Sequence, residues 1–64
     1  MGLRYEVSTA PVPTDLGLTE GPFIVDTKLN VVAPMMSVAG AKRVAVELNG
    51  GARDHEDVFW LEPR

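Results

Sequence analysis

Sixty-four residues, six basic against nine acidic and no cysteine, exclude more than they suggest. The chain has room for a single domain (1–64) and too little wall for an enclosed ligand pocket of about 300–1,000 Å³. Its net charge of −3 disfavours an electrostatic grip on nucleic acid, and the lack of cysteine excludes disulfide staples, thiolate metal sites and thiol catalysis.

With 45% hydrophobic and 23% charged residues, the composition is that of a folded chain rather than a disordered one. Nine valines and four threonines outweigh the aromatics Tyr5, Phe23, Phe59 and Trp60, and such residues favour the pleated surface of a sheet. Leu3, Tyr5, Val7 and Thr9 alternate with Arg4, Glu6 and Ser8, which predicts a strand over 3–9 with one wet face. Pro11 and Pro13 donate no backbone hydrogen bond, so Pro11-Val12-Pro13 is expected to be extended. Thr14 to Pro22 reads as a loop broken by Gly17 and Gly21, with Leu16 and Leu18 expected to pin it to the core. Phe23-Ile24-Val25 opens a strand region over 22–33. It is either continuous or folded into a hairpin by a tight turn at Asp26 to Asn30, and Pro34 ends it.

Met35 to Leu48 supports two patterns. A helix over 37–48 would take Ser37 as its cap, stripe Val38, Ala41, Val44 or Ala45, and Leu48, and stop at Asn49-Gly50. A strand over 42–48 would turn Val44, Val46 and Leu48 inward. Gly40 and the three valines weigh against the helix, so the strand is favoured. Asn49-Gly50-Gly51 then makes a turn, 52–57 a polar loop and 57–62 a last strand. The expected fold is mainly β, a small antiparallel sheet or partly open barrel of four to five strands. The alternative is α+β, with a helix at about 37–48 on a three-stranded sheet.

Chemistry-bearing residues are sparse. Arg53-Asp54-His55-Glu56-Asp57 holds three carboxylates and the sole histidine, but consecutive residues cannot all converge on one cation, and the spacing fits no calcium loop. A solvated loop is the simpler reading. Ser8 and Ser37 lie in no nucleophile elbow, and Gly50-Gly51 belongs to no phosphate-binding pattern. No catalytic residue, metal or cofactor is expected, and an enzyme is not. Met1 to Glu6 lacks a basic stretch followed by an apolar one, Glu6 stands where N-myristoylation wants Ser or Thr, and Leu29 to Ala41 is broken and too short to span a bilayer. A cytoplasmic location, or a place in a particle assembled inside the cell, is expected, with no membrane or nucleic-acid partner.

The pattern with the most functional content is the apolar character of both strand faces. Phe23-Ile24-Val25, Val31-Val32-Ala33 and Val58-Phe59-Trp60-Leu61 all send large side chains both ways, as strands covered on two faces do. A short chain without staples has little with which to cover both. The expectation is therefore a non-enzymatic structural or interaction subunit. It would assemble with itself or dock on a larger complex, for example as an accessory or decorating subunit of a large assembly such as a virion. Met35, Met36, Phe59 and Trp60 are its protein-interface residues. The alternative is a small acidic regulatory binder, inhibitor-like or antitoxin-like, that offers Asp54, Glu56 and Asp57 to a basic protein.

Overall fold

The computed structural model describes residues 3–64; Met1 and Gly2, where a leader or acyl site was sought, lie outside them. Strands β1 (Tyr5–Ser8), β2 (Val12–Thr14), β3 (Gly17–Thr19), β4 (Phe23–Asp26) and β5 (Val31–Pro34) come first. Helix α1 (Val38–Asn49) follows, and then a single 3-10 turn at His55–Asp57. One antiparallel sheet has the order β1-β4-β5, and β2 pairs with β3 in a second, two-stranded sheet. The small antiparallel domain of up to five strands is thus present, in the α+β form with a helix on a three-stranded sheet.

The strand expected over 42–48 is instead the body of α1. Ser37 holds an extended backbone, and its hydroxyl accepts the N–H of Gly40 at 3.0 Å. Gly40 is therefore the third helical residue, where the cap acts, and does not carry the full penalty of an interior glycine. The Gly50 N–H returns to Val46 O, and Gly51 takes a positive φ of 81° just beyond, closing the other end. Between these ends Ala41, Ala45 and Leu48 make a buried stripe, and the two alanines let the helix lie close to the sheet. Val46, which a strand would have buried, is exposed.

Two-faced strands do find two covers. Tyr5, Ile24 and Ala33 face α1 and form one cluster with Ala41, Ala45 and Leu48. Phe23, Val32 and Leu61 form a second cluster, with Val12 and Val25 packed against it. Alternation along β4 places Ile24 and Phe23 on opposite faces, so the helix covers one side, and the β2–β3 hairpin with the C-terminal segment covers the other. That C-terminal segment is a strap rather than the ladder expected over 57–62. Leu61 and Val32 exchange backbone hydrogen bonds of 2.7 and 2.9 Å, Pro63 sits opposite Thr14, and the Arg64 N–H donates to Pro13 O at 2.7 Å. It ties the two sheets to each other.

Two further expectations need correction. Within the supposed loop 14–22, Asp15-Leu16 is a two-residue turn between β2 and β3; the buried Thr14 hydroxyl bonds Gly17 O, and Gly17 supplies a φ of 99°. Leu16 and Leu18 do not pin this hairpin, being 71% and 72% exposed; Val12 and Thr14 point inward instead. Region 22–33 is the hairpin β4–β5, and Asn30 takes a φ of 55° at the end of its turn.

Because Leu61 both fills the second cluster and clamps β5, truncating it removes apolar contacts and loosens the strap. Leu61→Ala is expected to cost about 2–4 kcal/mol in denaturant unfolding, against less than about 0.5 kcal/mol for the exposed Leu18→Ala.

Candidate functional site

The densest polar arrangement is built on Asp26, whose side chain is 0% exposed. Parity forces it inward: it follows Ile24 by two residues and lies opposite Tyr5, on the face that α1 covers. A carboxylate there must be paired. Arg4 supplies a two-pronged partner, Nε to Oδ1 at 3.0 Å and Nη2 to Oδ2 at 2.9 Å. The backbone N–H groups of Lys28 and Leu29 donate to Oδ1 at 3.0 and 3.3 Å, which also shapes the turn into β5. His55 completes the cluster, with Nε2 3.1 Å from Oδ2. The contact does not meet hydrogen-bond geometry, and among the described residues the buried Nε2 has no hydrogen-bond partner.

Aromatic rings hold the imidazole in place. His55 stacks on Trp60 with centroids 4.6 Å apart and an interplanar angle of 11°, and the Trp60 indole N–H donates to His55 O at 2.7 Å. Tyr5 lies beside both rings, and the Arg4 guanidinium sits 5.0 Å from the Tyr5 ring centre. Burial pushes the Asp26 carboxyl upward and is the largest single influence on it. The Arg4 hydrogen bonds, the amides of Leu29 and Lys28 and the positive charge of Arg4 together outweigh it, and the group is held below the ordinary aspartate value. Arg4 is raised in turn, chiefly by its hydrogen bonds to Asp26.

His55 is thus turned away from its acidic neighbours. Asp54, Glu56 and Asp57 are exposed, and among the described residues no group of three potential ligands converges on a cation position. An aspartate beside a histidine is half of an acyl-transfer apparatus. The hydroxyls that would complete it are elsewhere: Ser8 sits opposite Phe23 at the far end of β1, and Ser37 caps α1. What the cluster does is join the start of β1, the β4–β5 turn and the 55–57 turn at one carboxylate.

The four expected interface residues divide evenly. Met35 and Trp60 pack on the helix-side cluster, whereas Met36 is fully exposed and Phe59 is 68% exposed. The antiparallel bridge of Leu61 with Val32 runs the preceding residues toward the Pro34 end of β5, so Phe59 and the Met35-Met36 pair lie along the same sheet edge. Arg4 and Asp26 had no place among the expected site residues. The available signal was parity, since an acid two residues after Ile24 on an inward-facing strand demands a cation.

Compared with known proteins, the chain matches no family model, no curated protein and no solved structure. Among the described residues, no helix is long and apolar enough to cross a membrane.

With a folded-state pKa below the unfolded one, Asp26 adds stability that is complete above the unfolded value of about 4 and is lost as pH falls through the folded value. Asp26→Asn should cost about 2–3 kcal/mol near neutrality, a figure kept low because Arg4 is partly in water. In urea melts, the gap between wild type and variant should narrow steadily as the pH is taken below about 4.

Proposed function

We propose that this chain is a non-enzymatic interaction subunit that assembles with itself or docks on a larger protein complex through exposed apolar side chains, in the manner of an accessory or decorating subunit of an assembly. The observation that supports this reading is the pairing of fully exposed Met36 with largely exposed Phe59 on one edge of the sheet, each next in sequence to a residue anchored in the core. An aromatic ring and a flexible thioether held on a fixed base are the side chains that dominate the centres of protein interfaces. The two-faced strands no longer support a partner, because α1, the hairpin and the strap cover them. The case rests on the edge residues. Single exposed apolar residues such as Leu29 need no function; Met36 and Phe59 differ in that the Leu61–Val32 bridge directs both to the Pro34 end of β5.

Sedimentation across a dilution series tests this reading, alone and with lysate fractions that contain large assemblies. Wild type should associate, and Met36→Ser with Phe59→Ser should weaken that association about tenfold or more while leaving the fold intact. Added salt should change little, because apolar docking is not screened. Association that collapses in salt and survives the double substitution would point instead to the exposed acids Asp54, Glu56 and Asp57 as the contact surface. A monomer at every concentration, with no captured partner, would sink both readings.

A further inference from the structure

We infer that Asn49-Gly50 is a deamidation site, held in check by the closed end of α1 and by Tyr5, and that its reaction unlatches the outer edge of β1. An asparagine followed by glycine is the pair most open to this chemistry, because no Cβ stands beside the attacking nitrogen. The Gly50 backbone nitrogen gives its proton to solvent base and bonds the Asn49 Cγ. The Cγ–Nδ2 bond breaks, and the side-chain nitrogen leaves as ammonia with a proton taken from water. Water then opens the cyclic imide at either carbonyl, which leaves aspartate or isoaspartate. The balance needs only water, and nothing is oxidised or reduced. Gly50 is exposed at the end of α1, so base and water reach it. The chain's other asparagine, Asn30, precedes Val31, whose branched side chain crowds the same approach.

The fold opposes the first step at both reacting groups. The Gly50 N–H donates to Val46 O at 2.9 Å. The Asn49 amide is engaged at both ends: Oδ1 accepts the Tyr5 N–H, and Nδ2 donates to Tyr5 O, each at 3.0 Å. The new ring also takes in the Asn49 Cα–C bond, which must rotate out of its helical setting. The last turn of α1 and the Tyr5 contact therefore have to open first, and the rate counts local openings. The consequence lies on β1, the outer strand of the order β1-β4-β5, where the Asn49 amide stands in for the peptide group of a neighbouring strand. The nitrogen that departs is the one that donates to the Tyr5 carbonyl. Aspartate returns acceptors only, so a carboxylate oxygen is left facing a carbonyl oxygen. Isoaspartate reroutes the backbone through the side chain and moves the carboxylate as well. Either product adds a negative charge to a chain already at −3, and hydrolysis does not run backward to the amide. The edge, once unstopped, stays open.

This site is separate from Met36 and Phe59, and its test is separate as well. The full chain is aged at mildly alkaline pH, folded and in urea, and both asparagines are followed by peptide mass spectrometry. In urea Asn49 should convert well ahead of Asn30. Gly50→Ala, at a helical φ of −86° that alanine accepts, should remove that lead. In the folded chain Asn49 should still outrun Asn30, but about tenfold or more slowly than in urea, as a reaction gated by opening must. Once converted and refolded, the chain should exchange its Tyr5 amide hydrogen about tenfold faster than unconverted protein. If converted material does not refold, Asn49→Asp supplies one of the two products directly for the same measurement. Asn49 converting no faster than Asn30, equal rates with and without urea, or a Tyr5 amide indifferent to conversion would each overturn the inference.

Discussion

The Asp26 carboxylate is the constraint on which the rest of this small fold depends. It lies at the end of β4, on the helix-covered face, and its two oxygens gather Arg4 from the start of β1, two amides from the β4–β5 turn and His55 from the segment after α1. Three stretches of chain widely separated in sequence meet at one charge. Without disulfides, such a junction supplies some of the cross-linking that small domains otherwise take from cysteine or metal. It works because the charge is satisfied: burial alone would raise the carboxyl, and the donors around it reverse that tendency. Trp60 depends on the same junction, since its ring stacks on the imidazole and its N–H is held by the His55 carbonyl.

Economy of this kind recurs along the chain. One segment of five residues, 60–64, places Trp60 against the helix-side cluster and Leu61 against the other, pairs with β5 and then crosses to β2. Asn49, the last residue of the helix, also closes part of an open sheet edge with its side chain. Exposed edges invite pairing with other chains, and here both outer strands carry a stopper supplied from elsewhere in the fold. With faces covered and edges stopped, the large apolar side chains left exposed include Leu16 at the β2–β3 tip, Leu18 on β3, Val46 on α1, Met36 after β5 and Phe59 just before the strap.

Much of this was legible in the sequence wherever a signal was local. Alternation located β1, and the Asp26 to Asn30 segment was readable as a turn because its residues favour one. The helix was harder, since Val44, Val46 and Leu48 satisfy a strand while Ala41, Ala45 and Leu48 satisfy a helix. The two ends should have decided it: Ser37 and Asn49-Gly50 form a matched pair of stops twelve residues apart, and a glycine at the capped position carries little of its usual penalty. Leu16 and Leu18 misled because hydrophobicity says what prefers burial, not what finds room for it. The Arg4–Asp26–His55 junction was hidden for another reason. Its members are 22 and 29 residues apart, and nothing local to any of them announces the other two.

The two-faced strands show how far such reasoning reaches. Apolar residues on both faces do imply two covers, and that inference held physically: α1 lies on one side, the hairpin and strap on the other. The weak step was to suppose that a chain this short must borrow one of them. Twelve helical residues with alanine at the contact, a three-residue hairpin arm and a five-residue strap suffice, because close approach replaces bulk. The core is finished by the chain's own elements, so association is separable from folding: substitutions at exposed Met36 or Phe59 leave both buried clusters untouched.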